Sequence, residues 1–495
     1  MTEGLTERPI RFVHRGAIVE VAGLPATTTV LAWLREHAGR TGTKEGCNEG
    51  DCGACTVMVG DLDDGGTVRW RTVNACLQFL PTLDGRALRT VEDLPADHPA
   101  PRAMVEHHGS QCGFCTPGFV VSLAALHANR PDPPSRRELA DALAGNLCRC
   151  TGYRPILDAG EAMYALPAPA VNDDDATVAA LQTLRADPPL AYRAPDPATG
   201  ADSRFLAPRS LDALADAAAT HPQATVLAGS TDIGLWANKQ FRPLPLLISV
   251  GAVPGFKAIT ETEGVLHIGA GAALEDAWAA LVAHLPPMRD YALRFASPPV
   301  RHAGTMGGNL ANGSPIGDSA PVLMALDARI VLRHGGAERT LPLDGFYTGY
   351  MKNLRQPGEL LWRIEVPLPG PATRLRAYKL SKRFDCDISA LACGLAVTLD
   401  GERVTAARVA FGGMAATVAR ARAAEAALTG QPWTEATLEA ACSALGSDYT
   451  PMTDLRGSAG YRVRSARALL RRFWLETRPD APLAPSATQV WEVPA

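Results

Sequence analysis

The chain lacks the features that would assign it at once to several common classes of protein. Its 48 basic residues face 52 acidic residues among 495, so it has no basic excess of the kind that nucleic-acid-binding proteins carry. It contains no run of about 18 apolar residues, which argues against a membrane span. Residues 1–15 show no signal-peptide core and no twin arginine. We therefore expect a cytoplasmic protein that binds neither nucleic acid nor a membrane.

Cysteine is the residue whose use is unusual. The chain has 11 cysteines, and eight of them lie within the first 150 residues. In a reducing compartment, clustered thiols are more typical of metal binding or redox chemistry than of a disulfide framework. The eight are Cys47, Cys52, Cys55, Cys76, Cys112, Cys115, Cys148 and Cys150.

Shifts in composition predict a multidomain α+β protein. Apolar residues on both sides of a turn predict a β-hairpin over 9–22, and Thr28 or Thr29 then caps a helix. With strands over 56–59 and 68–73, this order is typical of a small β-grasp domain, and a helical part with a Ser135–Glu138 capping box follows it. The predicted parts are 1–85, 86–165, a Pro- and Ala-rich linker over 166–203, and two further domains over 204–370 and 371–495.

The first four cysteines have the spacing of an iron-sulfur site. Cys47-x4-Cys52-x2-Cys55 with a later Cys76 matches the plant-type 2Fe-2S pattern. A structural zinc site is the alternative, but such sites normally use two C-x2-C pairs, and only one is present here.

The second four cysteines are less decisive by spacing alone. Cys112-x2-Cys115 and Cys148-x-Cys150 could hold either zinc or an iron-sulfur cluster. The pairs Thr116-Pro117 and Arg154-Pro155 are typical of helix starts. Helix amino termini beside the thiolates would favour an anionic cluster.

Two glycine-rich loops follow predicted strands in the third part. Residues 228–234 come directly after a strand over 225–227, and their small side chains leave backbone N–H groups free to bind phosphate. Residues 304–318 are too polar for a core and too long for a simple turn. From the residues alone, a ligand-binding loop and a purely structural loop stay equally open. Gly269-x-Gly271 resembles a dinucleotide-binding turn, but the third glycine of that motif is missing. The turn therefore gives little indication of dinucleotide binding.

With their flanking residues, the two thiol motifs resemble the two-cluster module of the molybdenum hydroxylases. The matching segments are GCNEGDCGACTV with Cys76, and QCGFCTPG with GNLCRCTGYRP. VLAGSTDIG and AGTMGGNLANGSPIGDSAPVLMAL resemble the FAD-binding segments of that family, and residues 375–485 resemble its last flavoprotein domain. The resemblance implies a β-grasp ferredoxin domain, a helical 2Fe-2S domain, a vanillyl-alcohol-oxidase-type FAD domain and an α+β carboxy-terminal flavoprotein domain.

The resemblance also implies roles for single residues. The eight cysteines would hold two 2Fe-2S clusters, the first nearer FAD and the second nearer a molybdopterin on another chain, beside Gln111 and Cys150. Residues 382–387 would lie beside the flavin, on the loop that in this family helps decide whether NAD or oxygen accepts the electrons. The residues implied around FAD are Val226, Leu227, Ala228, Gly229, Ser230, Thr231, Asp232 and Ile233 at the pyrophosphate, Thr305, Gly308, Asn309 and Asn312 on the second side, Asp318 at the ribose, Phe295 and Leu361 beside the ring system, and Lys379 from the last domain.

A chain that joins iron-sulfur and FAD parts without a molybdopterin domain resembles, within this family, the small subunits of bacterial xanthine dehydrogenases. The resemblance implies a molybdopterin-binding large subunit as partner, in a heterotetramer of two small and two large subunits. Electrons would pass through the clusters to FAD and then NAD while hypoxanthine and xanthine become urate, and no residue of this chain would act on the purine. Two alternatives stay open: an equivalent subunit for aldehydes or N-heterocycles, and a non-redox protein with two zinc sites.

Overall fold

Separate hydrophobic cores organise the chain, which the computed structural model describes over residues 4–63, 65–167, 169, 174–197 and 200–488. The first core lies under a five-stranded mixed sheet with strand order β3-β2-β6-β4-β5. The predicted hairpin is confirmed, since Ile10 pairs with Val21 and Phe12 with Val19. Thr29 caps the following helix through its hydroxyl. These elements are β1 (Thr6–Glu7), β2 (Ile10–His14), β3 (Ala17–Val21), α1 (Val30–Ala32) with a π-helical turn (Trp33–His37), β4 (Thr56–Leu62), β5 (Val68–Asn74) and β6 (Ala87–Arg89).

A helical part with its own core packs against this sheet. The capping box of Ser135 and Glu138 is confirmed. The central helix begins one residue earlier than its Thr-Pro pair predicts, because Cys115 occupies the N-cap position and Thr116 is already helical. The helices are α2 (Pro99–Glu106), α3 (Thr116–Asn129), α4 (Arg136–Ala142) and α5 (Arg154–Ala162).

The stretch 166–203, which its composition assigns to a linker, contains regular structure where it is described. A helix, α6 (Asp174–Arg185), buries Thr177, Leu181 and Leu184 on one face. A strand, β7 (Leu190–Pro195), pairs in parallel with β1 and antiparallel with the strand that follows it. The Ala- and Pro-rich composition does not predict this helix. Three buried residues at helical spacing are nevertheless enough to anchor a short helix.

The next part combines two five-stranded sheets, in the orders β1-β7-β8-β10-β9 and β11-β12-β17-β13-β14. The first sheet shares one hydrophobic core with the amino-terminal sheet, including Phe12, Cys76, Phe205 and Leu247. The elements are β8 (Asp202–Ala207), α7 (Leu211–Thr220), β9 (Thr225–Leu227), α8 (Ile233–Asn238), β10 (Leu246–Ser249), β11 (Ile259–Thr262), β12 (Val265–Gly269), α9 (Leu274–His284), α10 (Arg289–Leu293), α11 (Pro298–Ala303), α12 (Met306–Ala311), α13 (Ser319–Ala325), β13 (Arg329–His334), β14 (Ala337–Pro342), β15 (Tyr347–Gly349), β16 (Lys352–Asn353) and β17 (Leu360–Pro367).

The last part is a four-stranded antiparallel sheet, β18-β19-β20-β21, covered by helices. The predicted fold class, a multidomain α+β protein, is thereby confirmed. Among the described residues, every helix is too short or too polar to cross a bilayer. The elements are β18 (Thr373–Leu380), β19 (Leu391–Asp400), β20 (Arg403–Gly412), β21 (Ala419–Arg420), α14 (Arg422–Leu428), α15 (Glu435–Asp448) and α16 (Ala459–Thr477).

Candidate cofactor sites

The first four thiols lie together as two pairs. Cys55 Sγ is 3.3 Å from Cys76 Sγ, and the backbone N–H groups of Cys47 and Cys52 donate to each other's sulfur at 3.3 and 3.4 Å. A 2Fe-2S cluster needs two thiolates at each of two irons, whereas structural zinc needs four ligands around one point. The paired thiols therefore fit a two-iron cluster better than zinc.

The pKa values of these thiols also favour metal binding. The hydrogen bond from Cys52, helped by backbone N–H donors, lowers the pKa of Cys47 to about 5. The thiol of Cys76 likewise lowers the pKa of Cys55, while the pKa of Cys52 and of Cys76 is raised by the partner thiol. Each pair thus shares one proton, which a bound metal would release.

Glycine is required where this loop wraps closely. A Cβ at Gly46 would lie 2.7 Å from Cys52 Sγ. Gly50 has a φ of +79°, and a Cβ there would lie 2.5 Å from Leu77. The loop can therefore enclose a compact group only because these positions carry no side chain.

The second four thiols meet near the molecular surface. Cys150 Sγ lies 3.6 Å from Cys112 Sγ and 3.8 Å from Cys148 Sγ. Burial opposes ionisation of Cys148, but hydrogen bonds from Thr151 and Cys150 outweigh it and lower its pKa to about 7. Burial raises the pKa of Cys115 to about 12. Cys112 and Cys150 are exposed, as is Gln111 beside them.

The predicted phosphate loop connects β9 to α8 and has unusual backbone geometry. Ser230 has a φ of +63°, and its buried hydroxyl has no hydrogen-bond partner among the residues that the structure describes. A Cβ at Gly229 would overlap the carbonyl oxygen of Ala303, so this loop lies directly on the second glycine-rich loop. The predicted residues 226–233 thus comprise the end of β9, the connecting loop 228–232 and the first residue of α8, and the loop contacts residues 303–304 at Gly229.

The second loop adds further polar atoms without partners. Thr305 caps α12 by accepting a hydrogen bond from the Gly308 N–H at 3.0 Å, and Asn312 ends that helix. The side-chain oxygens Asn309 Oδ1 and Ser319 Oγ are buried and unpartnered in the described structure. Buried polar atoms nearly always have partners, so three such atoms on two adjoining loops fit a polar ligand such as a dinucleotide.

Asp318 and Lys379, predicted separately, form a buried ion pair. Lys379 Nζ lies 2.8 Å from Asp318 Oδ2, with side-chain exposures of 2% and 9%. Ser389 donates to the other carboxylate oxygen at 2.6 Å, and Tyr291 donates to the Asp318 carbonyl at 2.7 Å. The pair fastens the last domain to the glycine-rich loop. Sequence reasoning missed Ser389 and Tyr291, because nothing in their local patterns marks them.

Phe295 and Leu361 are both buried in the core beside these loops. Phe295 is 6% exposed, and its ring centroid lies 6.1 Å from that of Trp278. Leu361 is 5% exposed and pairs with Leu332 in the sheet.

A methyl group at Gly229 should remove cofactor binding by the phosphate loop. Gly229→Ala would force a side chain into the Ala303 carbonyl, and overpacking of this kind costs about 1–3 kcal/mol. We expect FAD affinity to fall by at least about tenfold, measured by flavin retention after gel filtration. Gly345→Ala, where nothing lies within 4 Å, is the matched control. Full flavin retention in Gly229→Ala would contradict the loop's assignment.

Protonation of His302 should lower the free energy of unfolding as the pH falls. This residue of α11 contacts the Thr72 hydroxyl of β5 at 3.1 Å, and burial lowers its pKa to about 4 from 6.5. Between these values the unfolded chain binds the proton more readily than the folded chain, so stability present above pH 6.5 is lost as the pH falls toward 4. Melting temperatures from pH 7 to 4 should fall less in His302→Gln than in the parent chain. The exposed His37→Gln should match the parent; if His302→Gln does so too, the assignment is wrong.

Comparison with known families matches four successive parts of the chain. A 2Fe-2S iron-sulfur cluster binding domain matches residues 13–79, and a second 2Fe-2S binding domain matches 90–161. The FAD binding domain in molybdopterin dehydrogenase matches 201–369, and the CO dehydrogenase flavoprotein C-terminal domain matches 376–477. The chain therefore has two 2Fe-2S-binding domains and an FAD-binding domain.

Individual relatives fall into several enzyme types. Xanthine dehydrogenase/oxidase of Gallus gallus is 30% identical over 94% of this chain, and aldehyde oxidase 2 of Cavia porcellus is 31% identical over 94%. The chain spans 39% of the length of each. A carbon monoxide dehydrogenase structure from Hydrogenophaga pseudoflava is 30% identical with a TM-score of 0.52, covering 54% of this chain and 94% of that chain. Quinoline 2-oxidoreductase from Pseudomonas putida 86, at 23% identity and a TM-score of 0.52 over 56% and 98% of the two chains, shares the fold.

Proposed function

This chain belongs to the molybdenum hydroxylase family, and we propose that it carries electrons from a molybdopterin-binding partner through two 2Fe-2S clusters to FAD. The observation that carries the proposal is the direct contact between the first thiol loop and the phosphate loop. Gln78, two residues after Cys76, donates to the Gly229 carbonyl at 3.0 Å. Such a contact brings the two candidate cofactor positions next to each other without an intervening layer of side chains.

The residues of this chain would bind the cofactors, set the distances between them and exclude water from them. When bound, the clusters supply one-electron transfer and FAD supplies two-electron chemistry. The paired thiols would hold the clusters, with Cys47, Cys52, Cys55 and Cys76 at the first and the remaining four at the second. We propose that residues 226–233, with Thr305, Gly308, Asn309 and Asn312, line the FAD, while Phe295 and Leu361 exclude water from its ring system. Lys379 of the last domain, paired with Asp318 of the glycine-rich loop, would close the site.

The second thiol set supports a partner on its open side. Cys112 and Cys150 are exposed, and so are the apolar side chains of Phe114 and Tyr153, at 49% and 39%. Exposed apolar groups beside a redox site are typical of a protein contact. We propose that the molybdopterin subunit docks here, next to Gln111, and that two copies of each chain assemble in the cytoplasm.

For the complete enzyme we propose oxidation of hypoxanthine and xanthine to urate with NAD as the acceptor. The matches over 94% of this chain to xanthine dehydrogenase/oxidase support it. Aldehyde oxidase 2, with equal coverage, favours a second candidate, an aldehyde- or N-heterocycle-oxidising enzyme.

Co-expression with the molybdopterin subunit tests the substrate. We expect the co-purified complex to reduce NAD with xanthine. Turnover of aldehydes but not of xanthine would favour the second candidate, and oxygen consumption without NAD reduction would contradict the proposed acceptor.

A further inference from the structure

The helix that follows the phosphate loop also contacts the segments that carry the first four thiols, near its start and at its end. α8 begins at Ile233, directly after the loop, and ends at Asn238. A Cβ at Gly234, near its start, would lie 2.9 Å from the carbonyl oxygen of Leu77. The helix therefore lies backbone to backbone against the segment that follows Cys76.

The carboxyl end of α8 presents donors to the backbone of two cysteines. Asn238 donates to the Cys76 carbonyl at 2.6 Å and to Asn48 Oδ1 at 3.2 Å. Lys239 Nζ donates to the Cys47 carbonyl at 2.7 Å and lies 3.8 Å from Glu49. These contacts reach one thiol from each of the two pairs.

We infer that Asn238 and Lys239 are positioning residues that set the reduction potential of the first cluster above what its own loop would give. This inference rests on the proposed function, since it needs the first thiol set to hold a cluster. An added electron makes a cluster more negative, and a nearby ammonium and amide donor favour that extra charge. A raised potential at the first cluster would favour electron transfer toward the flavin side.

The phosphate loop and the donor Asn238 belong to one continuous element. Residues 228–232 lead directly into α8, and Asn238 is the last residue of that helix. The flavin domain would therefore act on the first cluster through the backbone carbonyl groups of Cys76 and Cys47.

Redox titration of the full chain, followed by electron paramagnetic resonance, tests the inference. The signal that disappears in Cys148→Ser identifies the second cluster, which then serves as an internal control. In Lys239→Gln, we expect the reduction equilibrium of the first cluster to shift about tenfold toward the oxidised form, or about 59 mV for a one-electron couple. Asn238→Ala should shift it in the same direction, Lys239→Arg should restore the parent value, and the second cluster should not move.

Lys44→Gln is the matched charge control, because Lys44 donates to the Thr41 carbonyl and not to a cysteine. An unchanged first-cluster potential in Lys239→Gln would overturn the inference, as would equal shifts in both clusters or the same shift in Lys44→Gln. Iron and flavin content, measured on every sample, distinguishes failure of the proposed function from failure of this inference. A chain without clusters contradicts the proposed function itself, whereas a loaded chain with an unchanged potential contradicts only the role of Asn238 and Lys239.

Discussion

Replacing Cys148 with serine should stop electron flow from the proposed molybdopterin partner while leaving the flavin end active. Cys148 is buried, and its sulfur lies 3.8 Å from Cys150 and 3.0 Å from the Thr151 hydroxyl. A serine hydroxyl at this position is a poor iron ligand, so the second cluster should be lost or strongly perturbed. We expect xanthine-to-NAD activity to fall by at least about 100-fold, a loss of about 2.7 kcal/mol in transition-state terms. NADH-to-dye activity, which needs only FAD, should persist.

Cys442→Ser is the matched control for that substitution. Cys442 is also buried, and its sulfur donates to the Arg467 carbonyl, a hydrogen bond that a serine hydroxyl can replace. The control should keep its iron content and both activities. Equal loss of the two activities in a Cys148→Ser variant that keeps its flavin and its melting temperature would contradict the assignment of the second thiol set.

Replacing Asp318 with alanine should release FAD and destabilise the chain. The substitution leaves Lys379 buried at 2% exposure with no carboxylate partner. Removing one member of a buried ion pair typically costs about 3–5 kcal/mol. It also removes the acceptor of the Ser389 hydrogen bond. We expect a lower melting temperature and flavin loss on dialysis.

Two further variants separate stability from cofactor binding. Glu439→Ala breaks an exposed pair with Arg471, in which both side chains are nearly half exposed, and should leave the melting temperature almost unchanged. Asp318→Ala/Lys379→Met removes both charges of the buried pair and should recover part of the stability without recovering flavin. Full flavin occupancy in Asp318→Ala would count against a role for this pair in FAD binding.

Local patterns predicted much of the fold because their causes are local. The hairpin at Ile10–Val21 follows from alternating apolar residues around a turn, and the capping box at Ser135 follows from side-chain chemistry three residues apart. The glycines of the first thiol loop could be predicted for the same reason, since a tight wrap needs positions without a Cβ. The roles of the eight cysteines and of the FAD-lining residues stay predictions.

The features that local patterns could not predict depend mostly on contacts between residues far apart in the chain. Ser389 reaches Asp318 across 71 positions, and Lys239 reaches Cys47 across 192. α6 was hidden because its helical face consists of only three buried residues in a Pro- and Ala-rich stretch. Gly269 and Gly271, which resemble part of a dinucleotide turn, are instead explained by packing, since a Cβ at either would press on Phe256.

Metal and flavin analysis of the purified chain, together with its visible spectrum, tests the central claim most directly. The account predicts a coloured protein with about four iron atoms, since each 2Fe-2S cluster holds two, one FAD per chain, and two distinguishable cluster signals after reduction. A colourless protein that contains zinc and no flavin would contradict it.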